Sequence, residues 1–136
     1  DFEGAVKDFT AAIALDDQVA NAFTRRGAAY RKLNRDSEAL SDFEKAIQLQ
    51  PSIELYAERA LLYESTGDNQ KALADWNAVV DMNPQWPAPY RGRARAKKAL
   101  GDEAGSEEDA AVARRLERGG RHFDTAKAPV EPARGK

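Results

Sequence analysis

Small and aromatic residues recur along this chain at spacings that place them on one side of a helix. In one pattern an aromatic, a small and an aromatic residue stand at i, i+4 and i+7; its copies are Phe23-Gly27-Tyr30 and Tyr56-Ala60-Tyr63. In the other pattern the order is small, aromatic, small; its copies are Ala39-Phe43-Ala46 and Ala72-Trp76-Val79. Because residues three and four apart share a helix face, both patterns predict amphipathic helices.

The two patterns alternate with a period of 33 or 34 residues. An earlier copy of the second pattern stands at Ala5, Phe9 and Ala12, and a degraded copy of the first stands at Tyr90, Ala94 and Lys97. A self-match at a fixed period of this length indicates a repeat architecture, in which each unit packs only against its neighbours.

Turn-forming residues stand between the predicted helices. Three positions are expected to form left-handed helix caps: Asn34, Gly67 and Gly101. Three aspartates follow them and are expected to cap the next helix: Asp36, Asp68 and Asp102. Pro51 and Pro84 are expected to end the second helix of their units. The sequence therefore predicts an all-α chain of seven helices.

The repeated unit resembles the tetratricopeptide repeat. The positions that carry the resemblance are Phe23, Gly27, Tyr30, Ala39, Phe43 and Pro51, then Tyr56, Ala60, Tyr63, Ala72, Trp76 and Pro84. The resemblance implies a right-handed superhelical solenoid of antiparallel helix pairs. The predicted division is an array over 1–117, made of a half repeat (1–19), repeats at 20–52 and 53–86 and a degenerate repeat at 87–117, followed by a polar flexible tail over 118–136.

Gly27 lies in the middle of a predicted helix, where glycine costs about 1 kcal/mol relative to alanine. A residue without a side chain lets the two helices of a unit approach closely, so Gly27 is expected to face Ala39. Gly27→Leu is expected to destabilise the chain by about 1–3 kcal/mol, because extra volume in a packed contact forces its neighbours apart.

The half repeat is a second helix without its first, which predicts an uncovered apolar face. The residues on that face are Phe2, Val6, Phe9 and Ile13. Exposed apolar patches mark interfaces, so a partner chain or upstream repeats removed from this sequence are expected to cover it. A homodimer formed through residues 1–16 is one such arrangement.

Arginine and aspartate recur together in the repeats. The arginines are Arg26, Arg59 and Arg93, and the aspartates are Asp8, Asp42, Asp75 and Asp109. A structural row of ion pairs is the favoured interpretation, and a row of arginines facing a ligand carboxylate is the alternative. On the structural interpretation, Asp42→Asn lowers stability and leaves ligand binding unchanged.

The resemblance also implies a binding surface, because the first helices of this family line a concave face on which peptides lie. The matching positions form the candidate peptide-binding set: Asn21, Thr24, Arg31, Lys32, Glu54, Leu61, Glu64, Arg91, Arg95 and Lys98, with Ala28, Ala57 and Ala88 beside them. Arg91, Arg95 and Lys98 would form a continuous basic stripe. The expected partner is a mixed-charge protein segment with acidic groups, although the same charges are also typical of a solvated helix.

Composition excludes several other functions. The chain has no cysteine, one histidine (His122), a net charge of −2 and no apolar run of membrane-spanning length. No motif for catalysis, a cofactor or a metal is present, and the small net charge argues against nucleic acid as the partner. The leading prediction is a non-enzymatic scaffold for protein–protein interaction, and the alternative is a structural self-assembly module that associates through its open N-terminal edge.

Overall fold

The computed structural model describes the backbone of residues 1–134 and the side chains of residues 1–120. This part of the chain contains seven helices and no strand. The helices are α1 (Phe2–Leu15), α2 (Ala20–Lys32), α3 (Asp36–Leu49), α4 (Ile53–Thr66), α5 (Asn69–Met82), α6 (Pro87–Ala99) and α7 (Glu103–Arg134). The predicted all-α fold of seven helices is confirmed.

The helices pack in the order of the chain, each against its neighbours in sequence. Helices α2, α4 and α6 are the first helices of their repeats, and α3, α5 and α7 are the second helices paired with them. Helix α1 is a second helix that packs against α2, and α4 also touches α6 across α5. Contacts confined to neighbouring elements are the expected arrangement for a solenoid of stacked repeats.

The turn between the first and the second helix of each repeat contains one residue in the left-handed backbone conformation. Asn34, Gly67 and Gly101 have φ values of 60°, 84° and 91°, which confirms the three predicted caps. The side chain of Asp68 accepts a hydrogen bond from the amide of Lys71, and that of Asp102 accepts one from the amide of Gly105.

The predicted capping role of Asp36 is wrong. Arg35, the residue directly after the left-handed Asn34, is the N-cap of α3, and its side chain makes no capping hydrogen bond. In the other two turns the aspartate stands directly after the left-handed glycine. Asp36 comes one residue later, so it lies inside the first turn of α3.

The core consists of the predicted small and aromatic positions. On α3, Ala39, Phe43 and Ala46 are almost completely buried in a cluster that also contains residues of α2 and α4. Trp76 and Val79 fill the corresponding place in the next repeat. The repeated patterns therefore identify the surfaces through which the helices pack.

Gly27 is a close-packing position, and its nearest neighbours are Phe43 and Asp42 on α3. A Cβ added to Gly27 would lie 2.9 Å from Cε1 of Phe43 and 3.2 Å from Cβ of Asp42. These residues come one turn later on α3 than Ala39. The closest contact of Gly27 is therefore one turn beyond Ala39, and direct packing of Gly27 against Ala39 stays a prediction.

The C-terminal helix is longer than the sequence predicts. The sequence predicts that the last helix gives way to a flexible tail over 118–136, which includes Gly119 and Gly120, whereas α7 continues to Arg134. Two glycines weaken a helix by about 1 kcal/mol each relative to alanine but do not prevent it. The expected helix end was wrong, and the division of the chain at residue 117 stays a prediction. The side chain of His122 lies outside the described residues.

Candidate partner-binding surface

Two adjoining depressions lie between the first helices α2 and α4. One has a volume of about 490 Å³, and its walls include the candidate residues Asn21, Thr24 and Glu54. The other has a volume of about 410 Å³, and its walls include Arg31 and Lys32. The structure thus places half of the candidate residues around one groove between successive first helices.

The polar residues at the start of α2 are partly engaged within the helix. The Oδ1 atom of Asn21 accepts a hydrogen bond from Nε of Arg25 at 2.8 Å. The hydroxyl of Thr24 donates to the carbonyl oxygen of Ala20 at 3.0 Å. Asn21 lines the larger depression, and an amide side chain can both donate and accept hydrogen bonds.

An ion pair between Arg31 and Glu58 crosses the groove. Glu58 lines both depressions, so the pair forms the boundary between them. Both side chains remain about two-fifths to one-half exposed, at 39% for Arg31 and 47% for Glu58. An exposed pair of this kind contributes little to stability, so a ligand can replace one of its members at small cost.

A second polar cluster joins α4 to α5 and α6. Glu64 accepts a hydrogen bond from the indole Nε1 of Trp76 at 2.9 Å and pairs with Nη2 of Arg95 at 3.1 Å. Leu61, one turn earlier on α4, is half-buried against the same core. These three candidate residues therefore take part in contacts that hold the repeats together.

The predicted basic stripe on α6 is not a row of unpaired cations. Arg91 pairs with Glu117 of α7, whereas Arg95 pairs with Glu64 of α4. Lys98 is exposed near the end of α6. The two arginines pair with different neighbouring helices but both stay exposed, so a role of this stripe in binding stays a prediction.

The repeated arginines form bidentate ion pairs with the repeated aspartates. Nε and Nη2 of each arginine lie 2.8 Å from the two carboxylate oxygens of the aspartate 16 residues later; the pairs are Arg26–Asp42, Arg59–Asp75 and Arg93–Asp109. The aspartates are only 3–4% exposed. This geometry matches the structural interpretation, because the carboxylates already occupy the forked faces of the guanidinium groups.

Two of these arginines also reach the preceding repeat. Nη1 of Arg26 donates to the hydroxyl of Thr10 on α1 at 3.1 Å, and Nη1 of Arg93 donates to Oδ1 of Asn77 on α5 at 3.1 Å. The guanidinium carbon of Arg26 lies 5.8 Å and 5.7 Å from the ring centres of Phe23 and Tyr30. Arg26 and Arg93 are therefore each fixed by their own repeat and, through Nη1, also bind the preceding second helix.

The degenerate repeat replaces an aromatic residue with a cation. Lys97 stands where Tyr30 and Tyr63 stand in the earlier repeats, and its Nζ lies 2.9 Å from Oδ2 of Asp109. Burial raises the pKa of Asp109, but hydrogen bonds from Arg93 and Lys97 outweigh burial and hold the pKa below its usual value of 3.8. The lowered pKa means that the folded chain favours the ionised carboxylate.

This pKa shift predicts a pH dependence of stability. Asp109 stabilises the fold fully above its unfolded pKa, and this contribution is lost as the pH falls from 3.8 toward the lower folded-state pKa. The difference in the free energy of unfolding between the native chain and Asp109→Asn should therefore shrink on acidification through that range. Urea unfolding at a series of pH values measures it. Glu108→Gln, an exposed change on the same helix, serves as the control, and a pH-independent difference for Asp109→Asn would contradict the prediction.

Two other kinds of site are absent from the part of the chain that the structure describes. No group of three or more His, Cys, Asp or Glu side chains in that part of the chain could hold a metal ion. Within the same part, no helix combines the length and the apolar composition needed to cross a membrane.

The chain belongs to the tetratricopeptide repeat family, whose models match residues 20–53 and 53–85. Tetratricopeptide repeat protein 13 of Homo sapiens is 33% identical over 104 residues, which cover 75% of this chain and 12% of that protein. The photosystem I assembly protein Ycf3 of Prochlorococcus marinus (strain MIT 9211) is 30% identical over 115 residues, which cover 75% of this chain and 65% of that protein. The chain thus spans less than two thirds of either relative.

Solved structures agree on the fold. The crystal structure of MamA superposes with a TM-score of 0.82 at 19% identity and covers 86% of this chain and 69% of its own. The family and fold support a scaffold for protein–protein interaction and are typically those of non-enzymatic proteins. The groove between α2 and α4 is the feature of this chain from which a more specific function can be argued.

Proposed function

We propose that this chain binds an extended segment of a partner protein in the groove between α2 and α4. The observation that carries the proposal is the pair of adjoining depressions, about 490 and 410 Å³, that follow one another along these helices. Their combined size suits several consecutive side chains of a peptide. The walls carry donors and acceptors together with the aliphatic surface of Leu55 and Ala28.

The charges around the smaller depression favour an acidic group on the partner. Arg31 and Lys32 lie on one wall and Glu58 on the other. A partner carboxylate could take the place of Glu58 beside Arg31, since the existing pair is half-exposed and the guanidinium offers further donors. Glu54, Glu58 and Arg25 border the larger depression, and this excess of negative charge favours a neutral or basic residue there. The proposed ligand is therefore a mixed-charge segment, acidic at the end that meets Arg31.

A peptide selection on the intact chain tests this function. A random decapeptide library is displayed on phage and selected against the immobilised protein, and the dissociation constants of recovered peptides are then measured by fluorescence anisotropy. We expect acidic residues to be enriched, and we expect Arg31→Ala/Lys32→Ala to weaken binding at least about tenfold, corresponding to roughly 1.4 kcal/mol.

The control removes one positive charge far from the groove. Arg114 is exposed on α7, so Arg114→Ala should leave the dissociation constants unchanged. Thermal unfolding of each variant establishes that the fold is retained. Selected peptides without acidic enrichment, or peptides that bind Arg31→Ala/Lys32→Ala and the native chain equally well, would refute the groove as the binding site.

A further inference from the structure

Glu58 lies where the two depressions of the α2–α4 groove meet. It lines both of them, whereas Arg31 lines the smaller one from the opposite helix. The carboxylate of Glu58 accepts a hydrogen bond from Nη1 of Arg31, so the ion pair separates the two depressions from one another. An extended segment that runs through both depressions has to part this pair.

Among residues 1–120, two ion pairs connect successive first helices, and they differ in how firmly the glutamate is held. Glu64 is 18% exposed and is bound both by Arg95 and by the indole nitrogen of Trp76. Glu58 is 47% exposed, and its contact with Arg31 joins one nitrogen to one oxygen. Because a single exposed contact holds it, Glu58 is the glutamate that can leave its partner.

The repeat framework does not need a carboxylate at this position. The corresponding residues of α2 and α6 are Arg25 and Gly92. Arg25 bonds to Asn21 of its own helix, and glycine has no side chain. The pair of Arg31 with Glu58 is therefore an addition to the repeated contacts, and its loss should cost the fold little because exposed ion pairs contribute little to stability.

We propose that Glu58 is an internal competitor of the partner, which holds Arg31 and closes the groove until a carboxylate of the partner displaces it. This role of Glu58 rests on the proposed function of the groove. A partner carboxylate that meets the forked face of the guanidinium forms two hydrogen bonds, whereas Glu58 forms one. The exchange therefore favours an acidic segment, and it joins the two depressions into one channel.

An internal competitor predicts that binding becomes tighter when its charge is removed. The apparent affinity is reduced by the fraction of molecules in which Arg31 is free, and for an exposed ion pair this fraction is roughly one fifth to one half. We expect Glu58→Gln to lower the dissociation constant of an acidic peptide about two- to fivefold through this effect. Like-charge repulsion between Glu58 and the peptide adds a second factor, which does not depend on Arg31.

A double-mutant cycle separates the two effects. The probe is an acidic decapeptide from the selection described above, labelled with fluorescein, and its dissociation constant is measured by anisotropy. The proteins compared are the native chain, Glu58→Gln, Arg31→Ala and the variant with both changes. We expect Glu58→Gln to improve binding about two- to fivefold more in the native chain than in Arg31→Ala, because only the native chain contains the competing pair.

Glu54→Gln is the matched control for charge. Glu54 is an exposed glutamate on the same helix that lines the larger depression, and it forms no salt bridge within residues 1–120. Its replacement should change the dissociation constant by the same factor with and without Arg31. Thermal unfolding of Glu58→Gln should shift by less than about 2 °C, which establishes that the fold is retained.

The outcomes distinguish the role of Glu58 from the function of the groove. If Arg31→Ala/Lys32→Ala weakens the peptide but Glu58→Gln improves binding equally in the native chain and in Arg31→Ala, Glu58 only repels the ligand and the competitor role is wrong. Weaker binding to Glu58→Gln would make Glu58 a ligand contact and would also overturn it. If no selected peptide depends on Arg31 and Lys32, the proposed function fails, and the role of Glu58 fails with it.

Discussion

Gly92→Ala is expected to destabilise the fold strongly even though alanine is the better helix former. A Cβ added to Gly92 would lie closest to Cε2 of Trp76 and 2.6 Å from Cζ2. Trp76 is 4% exposed, and its indole nitrogen is held by Glu64, so the ring has little freedom to move away. Overpacking costs about 1–3 kcal/mol and the gain in helix propensity is about 1 kcal/mol. Because the added Cβ would be so close to the ring, the cost should lie at the upper end of that range, and we expect a net loss of about 2 kcal/mol by urea unfolding.

Two controls separate packing from helix propensity. Gly119 is also helical, but an added Cβ would meet nothing within 4 Å, so Gly119→Ala should be neutral or stabilise by up to about 1 kcal/mol. Trp76→Phe removes the part of the ring that Gly92 accommodates, so the cost of Gly92→Ala should fall in that background. Equal effects of Gly92→Ala with Trp76 and with Phe at that position would show that the indole is not the cause.

Arg59→Met is expected to destabilise the fold more than Gly92→Ala does. It leaves the carboxylate of Asp75, which is 4% exposed, without the two hydrogen bonds at 2.8 Å that now satisfy it. Removing one member of a buried pair typically costs about 3–5 kcal/mol, because the remaining charge is buried without a partner. Urea unfolding followed by circular dichroism measures the loss, and the slope of the transition shows whether unfolding stays two-state.

Asp75→Asn is the milder change because the amide keeps an acceptor for Arg59 and carries no charge. The double variant Arg59→Met/Asp75→Leu should recover much of the loss caused by Arg59→Met, since it removes the unpaired charge. Arg35→Met is the matched control, because Arg35 pairs with Glu38 at the surface, where both side chains are more than two-fifths exposed. A loss of the same small size for Arg59→Met and Arg35→Met would mean that the buried pair has no special structural role.

The fold could be predicted from the sequence because its main contacts repeat. The small and aromatic positions return at a fixed period, and so do the arginines and aspartates, so each contact is indicated several times. Arg59 and Asp75 are paired as the sequence suggested. The left-handed caps at Gly67 and Gly101 were predictable for the same reason, since only a few residue types adopt that conformation easily.

Contacts without a repeated counterpart could not be predicted. Gly92 stands where the earlier repeats have Arg25 and Glu58, so the period gives no sign that it must be small. The reason lies in the preceding second helix, α5. Trp76 stands there at the position that the smaller Phe43 has in the earlier repeat, and its ring occupies the space that a side chain at position 92 would need.

The candidate groove was less predictable for a related reason. Arg31 and Glu58 are 27 residues apart, and Glu64 and Arg95 are 31 apart, in contrast to the 16 of the repeated pairs. Which exposed charges meet across successive first helices depends on how the repeats stack. The family pattern indicated which residues line the surface, whereas their pairing required coordinates.

The arginines that bond to two second helices have a consequence for building chimeric arrays. Arg93 of α6 is held by Asp109 on α7 and also by Asn77 on α5, so these bonds connect three helices. A transplanted segment that starts at a first helix would lose the bond to the preceding repeat. A segment that starts one repeat earlier, at α4, keeps both bonds of Arg93 and also the pair of Arg59 with Asp75. Modules cut there should be the easier ones to recombine.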